Sequence, residues 1–207
     1  YISEMAGKIT GNIVRTAIEL LAAIPSVIYG LIGMMVLNPI MFRLEQIIFE
    51  DDSSHQFTGG ANMLSAIIVL TIMILPTVIS VSTSSLKAVP DTLRAASLAL
   101  GATKEQTIFK AVIPAAKSGI LTGVVLGTGR ALGEAMAITM VAGGAVNIPL
   151  PFNSVRTLTT QIVSEMGHAQ GTHRQVLFTV GLVLYIFIMI VNYALLRARK
   201  AGMDDVD

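Results

Sequence analysis

In the stretch GVVLGTGRALGEAMAITMVAGG, residues 123–144, Arg130 and Glu134 stand inside an otherwise apolar run. Insertion scales put an arginine at the centre of a membrane helix at about +2.5 to +3.5 kcal/mol, so a chain that keeps one either compensates the charge or uses it. The residue types allow two chemistries. A spacing of four places Glu134 on the same helical face as Arg130, which makes a self-neutralising pair that helps helices pack. Alternatively, the guanidinium presents a planar fork of donors that matches two oxygens of an anion such as phosphate, and it keeps its charge at any accessible pH. Glu134 would then hold Arg130 in place and limit affinity, because a transported ion must also leave.

Both readings require a membrane helix around the pair, and composition supplies one. The 207 residues are 53% hydrophobic and 13% charged, with a mean hydropathy of +0.73. A soluble domain carries about 25% charged residues. The net charge is +1 and no basic run points to nucleic acid. The absence of cysteine excludes disulfides and thiolate metal sites. Crossing a bilayer takes roughly 20 mostly apolar residues in a helix, and four segments qualify: about 16–41, 61–86, 119–142 and 176–196. Backbone in lipid must satisfy its own hydrogen bonds, so each is read as helix, with kinks at Pro25, Gly30, Gly33 and Pro76. The expected fold is an all-α polytopic membrane bundle, with residues 1–207 forming a single transmembrane domain. The first residue is Tyr1, with no signal pattern before it, so further spans are expected upstream.

Lysine and arginine orient the bundle. Lys8 and Arg15 precede the first span; Lys87, Arg94, Lys104, Lys110 and Lys117 lie between the second and third; Arg197, Arg199 and Lys200 follow the fourth. These are ten of the 14 basic residues, and they place both termini and the 87–117 segment in the cytoplasm. The EDDSS loop at 50–54 and the loop at 147–168 then face outward. Within the cytoplasmic segment, VPDTLRAASLALGATKEQTIFKAVIP reads as two short helices. Pro90 and Asp91 suit the first start, Gly101 its end, Thr103 with Gln106 forms a capping box, and Pro114 is expected to close the second helix. Such an apolar connector either lies flat on the membrane or docks another protein.

The sequence AASLALGATKEQTIFKAVIP resembles the cytoplasmic coupling motif of ABC importer permeases, a Glu-Ala-Ala run followed by a glycine and a hydrophobic-proline close. Ala96, Gly101 and Pro114 match it; Ala95 stands at the motif's glutamate and Ser97 at its second alanine. ELLAAIPSVIYGLIG, GVVLGTGRALGEAMAITM and VNYALLRARK narrow the resemblance to phosphate-type (Pst) permeases, nearer the PstC-like than the PstA-like subunit. The resemblance implies a bundle of six spans, of which two would precede this sequence, and a prokaryotic inner membrane. It also implies a second homologous permease subunit, ATP-binding subunits in the cytoplasm, an external binding protein and phosphate as the cargo. Its implied ATPase-coupling residues are Ala95, Ala96, Gly101, Thr103 and Pro114, and its implied pathway residues are Arg130 and Glu134. The physical argument and the resemblance agree, so the pathway reading of Arg130 is preferred.

Other motifs carry less. Gly119, Gly123 and Gly127 recur every four residues, as do Gly129 and Gly133, a spacing that lets helices approach closely. Neither phosphate-cradling glycine motif fits, so no ATP hydrolysis and no cofactor are expected of this chain. His55, His168 and His173 are read as loop polarity rather than metal ligands, although Glu165 lies three residues before His168. The hydroxyls of STSS, 82–85, are read as helix-end hydrogen bonding. Residues 153–166 suggest a short external helix. Another oxyanion, sulfate or molybdate, and a passive anion channel are the alternatives to a phosphate permease.

Overall fold

A computed structural model describes residues 7–50 and 55–204, with side chains for all of these except 8 and 198–204. Residues 51–54 of the acidic loop, and the side chains of Lys8, Arg199 and Lys200 used to orient the chain, lie outside this description. The described elements are α1 (Lys8–Ala23), α2 (Ser26–Ile48), α3 (Met63–Lys87), α4 (Asp91–Ala99), α5 (Lys104–Gly133), α6 (Met136–Val141), α7 (Leu158–Glu165) and α8 (Gly171–Asp204). Among the described residues, α2, α3, α5 and α8 are long and apolar enough to cross a membrane, so the all-α bundle with four spans holds.

The span boundaries shift in two places. The first apolar stretch is not one kinked helix over 16–41. Pro25 disfavours helix at Ile24 and itself takes an extended ψ of 143°, so α1 ends at Ala23 and α2 restarts at Ser26 and runs to Ile48. In the third, Pro114 does not close a short helix. The helix that begins at Lys104 continues through it to Gly133.

One device explains the continuity at Pro114 and recurs at Pro39. A π turn, Ile108–Val112, ends with the Ile113 N–H bonding to the Ile108 carbonyl, one residue before Pro114. A second, Gly33–Leu37, ends with the Asn38 N–H on the Gly33 carbonyl, one residue before Pro39. Proline has no N–H to give, and its ring crowds the carbonyl four residues back. Widening the preceding turn moves that carbonyl aside and lets the helix go on. The continuous α5 is about 45 Å long at ~1.5 Å per residue. The hydrocarbon core is about 30 Å thick, so roughly a third of α5 must stand outside it. The end that carries Lys104, Lys110 and Lys117 suits that position.

The chain separates into two compact units, Tyr1–Ala23 with Ile74–Arg130 and Ile190–Asp207, and Ile24–Met73 with Ala131–Met189. In the first, α5 lies on α3 through the glycine stripe. A Cβ on Gly119 would collide with the Ser85 side chain. One on Gly123 would come within 3.2 Å of the Val78 carbonyl and 3.3 Å of Ser82 Oγ, and one on Gly127 within 2.7 Å of Val78 Cγ2. Gly129 and Gly133 do not continue this contact: a Cβ on Gly129 would have Asn192 at 3.8 Å, and one on Gly133 would meet nothing within 4 Å. Below the stripe, Val89, Val112 and Ala116 form a small core covered by Leu86 and Ile120. In the second unit the same device seats α2 against α6, because a Cβ on Gly30 would be 2.8 Å from Ala137 Cα and one on Gly33 2.7 Å from Val141 Cγ1.

Gly123→Leu should therefore force α5 off α3 at an overpacking cost of about 1–3 kcal/mol. The check is the thermal midpoint of the detergent-purified protein, which should fall for Gly123→Leu and hold for Gly133→Ala.

Candidate functional site

Arg130 sits one turn before the end of α5, half-buried, and its Nη1 donates to Thr77 Oγ1 on α3 at 3.4 Å. The glycine contact creates this position, since Gly127 lies on Val78, the residue after Thr77. Thirteen residues separate Lys117 from Arg130, a rise of about 20 Å, so the arginine lies deep relative to the basic end of its helix. Among the described residues, Thr77 is its one hydrogen-bond partner.

Glu134 does not follow Arg130 around the same helix. The expected span over 119–142 stops at Gly133, so the register that would set the two side chains on one face ends before Glu134 is reached. The Glu134 N–H makes a tight bond to the Ala131 carbonyl at 3.2 Å, and its Oε1 accepts from the Ala137 N–H at 3.0 Å. The carboxylate thereby satisfies one of the free amides at the start of α6, a position where negative charge is favourable. The Glu134 carbonyl, left free by the break, accepts from Thr159 Oγ1 of α7 at 3.0 Å. The side chain also lines a mostly apolar cavity of about 370 Å³.

The residues around the expected coupling motif form a helix-glycine-helix unit. Gly101 has φ +84°, a left-handed conformation natural to glycine. Its N–H bonds to the Leu98 carbonyl at 3.0 Å and the Ala102 N–H to that of Ser97 at 3.3 Å, which completes a Schellman close for α4. Thr103 then opens α5 with a full capping box: its hydroxyl accepts from the Gln106 N–H at 3.2 Å, and its own N–H donates to Gln106 Oε1 at 3.0 Å. Ala95 and Ala96 lie exposed on α4. Ser97, where the motif has alanine, is 3.0 Å from Thr107 Oγ1 and ties α4 to α5.

Three features had no reading beyond charge or loop polarity in the sequence. Arg94 reaches back to the end of α3, where its guanidinium donates to the carbonyls of Leu86, at 2.9 Å, and of Val89, with Asp91 at 3.0 Å. It thus fastens α4 to the end of a membrane helix. Glu45, fully buried in α2, accepts from His55 Nε2 at 2.9 Å, the Thr58 N–H at 2.9 Å and the Thr58 hydroxyl at 3.1 Å. His55 stacks on Phe49 at 3.7 Å between ring centres, so it closes a loop rather than facing solvent. Glu165 pairs with Arg156 at 3.1 Å and His173 at 2.9 Å. Within 153–166 a short helix is present as α7, capped by Thr157.

Glu45→Ala would leave the Thr58 N–H and His55 without their acceptor, and each orphaned group costs about 1–3 kcal/mol. A thermal-shift measurement on the purified protein should show a clear loss for Glu45→Ala and a smaller one for Glu45→Gln, which keeps an acceptor oxygen.

The chain is similar to several permeases. It is 39% identical to the "Probable ABC transporter permease protein YqgH" of Bacillus subtilis, over 96% of this chain and 63% of that protein. It is 34% identical to the phosphate transport system permease protein PstC of Pasteurella multocida, over 92% of this chain and 63% of that one, and 36% identical to PstC of Xylella fastidiosa strain 9a5c, over 98% and 67%. The chain thus spans 63% of the length of the first two of these relatives. Its fold is similar to that of a chain of the MetNI methionine ABC transporter in an inward-facing conformation, with a TM-score of 0.62 over 96% of this chain and 78% of that one, at 22% identity. Residues 1–203 match the family described as binding-protein-dependent transport system inner membrane component, and the chain, with its four apolar spans, belongs to that family of multi-pass membrane proteins.

Proposed function

We propose that this chain is the permease subunit of an ATP-driven importer that carries inorganic phosphate across the cytoplasmic membrane of a prokaryote, with both compact units forming one permease domain. The observation that carries the reading is Arg130, a permanent cation deep along an apolar helix with, among the described residues, only a 3.4 Å hydroxyl contact to occupy it. Such a group keeps donors available for a passing oxyanion, and one fixed charge holds the ion weakly enough to release it. The resemblance of the chain to proteins named as phosphate transport permeases supports phosphate over sulfate or molybdate. Glu134 acts through the backbone, by fixing where α5 ends and α6 begins.

ATP hydrolysis belongs to a separate cytoplasmic subunit, which docks on α4 and the start of α5. Leu98, Leu100 and Phe109 there leave an apolar face exposed, with Leu100 90% accessible. Gly101 and Thr103 fix the angle between the two helices, and Arg94 passes their displacement to the end of α3. A second permease subunit completes the pore, and an external phosphate-binding protein delivers the ion.

A charge-assisted hydrogen bond is worth about 1.5–3 kcal/mol, so Arg130→Gln should lower phosphate uptake by one to two orders of magnitude while the membrane level of the protein is unchanged. The measurement is uptake of labelled phosphate by cells lacking their own permease but carrying the full-length gene, its ATPase and its binding protein, with unlabelled sulfate and molybdate as competitors. Equal loss of protein and uptake would assign Arg130 to packing, and competition by sulfate would transfer the permease to another oxyanion.

A further inference from the structure

Several hydroxyls in the membrane helices of this chain are satisfied within their own helix: Thr71, Ser85, Thr122, Thr128 and Thr179 each donate to the carbonyl four residues back, at 2.7–3.1 Å. This satisfies a polar group that an apolar setting would otherwise penalise. Ser80, Thr83 and Ser84 of α3 are not satisfied in this way. Their hydroxyls make no hydrogen bond among the described residues. The expectation of simple helix-end bonding for this serine-threonine run holds only for Ser85. The three free hydroxyls line one cavity of about 60 Å³, together with Arg15, Glu19 and Lys87. A single water needs roughly 10–15 Å³ of such space, so a compact ion fits. Arg15 donates through Nε to Glu19 Oε1 at 2.9 Å, which fixes the guanidinium and leaves both terminal nitrogens available. Two cations and three donor hydroxyls around a small space suit a tetrahedral oxyanion, and the Glu19 carboxylate keeps the affinity low.

The position of the cavity adds direction. Thr77, Ser80, Ser84 and Lys87 fall at i, i+3, i+7 and i+10, along one face of α3. Its upper end, Thr77, holds Arg130; its lower end, about 15 Å away by helical rise, is the cavity. We infer that the Arg15–Lys87 cavity is an inner phosphate subsite, joined to Arg130 by the hydroxyl face of α3, at which the ion rests before release. This deepens the reading of Arg130 as a pathway residue and rests on it. Several weak sites in series, rather than one strong one, are what conduction of an ion requires.

The test uses the complete transporter with its ATPase and partner permease, purified into phosphatidylcholine nanodiscs and carrying Arg130→Gln, so that the upper contact is removed. Binding of radiolabelled inorganic phosphate to this complex reports on the cavity. Ser80→Ala, Thr83→Val and Ser84→Ala together should weaken it about tenfold. Lys87→Met should weaken it as well and Lys87→Arg restore it. These side chains are exposed or half-exposed, and the assembled complex on size exclusion checks each variant. Phosphate binding unchanged in the triple variant and in Lys87→Met overturns the subsite, as does no binding in the Arg130→Gln complex. If free phosphate does not bind and anionic phosphatidylglycerol co-purifies in a Lys87-dependent way, the cavity holds a lipid headgroup and the subsite is likewise overturned. Normal uptake by Arg130→Gln would sink the pathway reading by itself, and the binding data from the same preparation would still be read separately.

Discussion

The approach of α5 to α3 is set by Gly119, Gly123 and Gly127, where even a methyl group would strike the Ser85 or Val78 side chain or crowd the Val78 carbonyl. Between membrane helices there is no hydrophobic driving force of the aqueous kind, so close packing of backbones and interhelical polar contacts must do the work. Here the close approach also creates the polar contact: with Gly127 seated on Val78, the long Arg130 side chain comes within reach of Thr77. Moving α5 outward by the width of one side chain would separate the cation from the hydroxyl face of α3. The packing stripe and the charged residue are therefore one feature, and the glycine positions determine what Arg130 can touch.

Around that contact, the polar groups that a membrane protein must satisfy are handled locally. The end of α4 is closed by Gly101, the start of α5 by Thr103 and Gln106, and the carbonyl end of α3 by the Arg94 guanidinium. Arg94 combines two roles, since a cation is favoured at a helix C-terminus and its fork also binds two carbonyls. A displacement of α4 therefore pulls on a membrane helix through hydrogen bonds as well as through the small core of Val89, Val112 and Ala116. In the other unit, Glu45 serves as a buried acceptor that ties the Thr58 loop and His55 to α2.

The prolines mark where helices bend, restart or pass through. Pro25 restarts a helix, whereas Pro39 and Pro114 each follow a π turn that lets the helix continue. At Pro114 the consequence is that the short helix opened by the Thr103 cap and the third span are one continuous helix, Lys104–Gly133.

Much of this was legible from the chain alone, and the legible part is local or one-dimensional. Four spans follow from runs of apolar residues, the close of α4 from Gly101, the capping box from Thr103 and Gln106, and a close-packing face on α5 from glycines four apart. Each depends on propensity or spacing within a few turns. The partners of the charged residues were not legible. Arg130 and Glu134 read as a pair because four residues equal one turn of an unbroken helix, and the tertiary structure ends that helix between them. His55 read as loop polarity because its acceptor, Glu45, is ten residues away on a helix whose burial no local pattern reports. Spacing determines which residues share a face only while the helix lasts; which neighbour that face meets, and whether a charge there finds a carboxylate, a hydroxyl or an open cavity, is decided by the packing of elements distant in sequence.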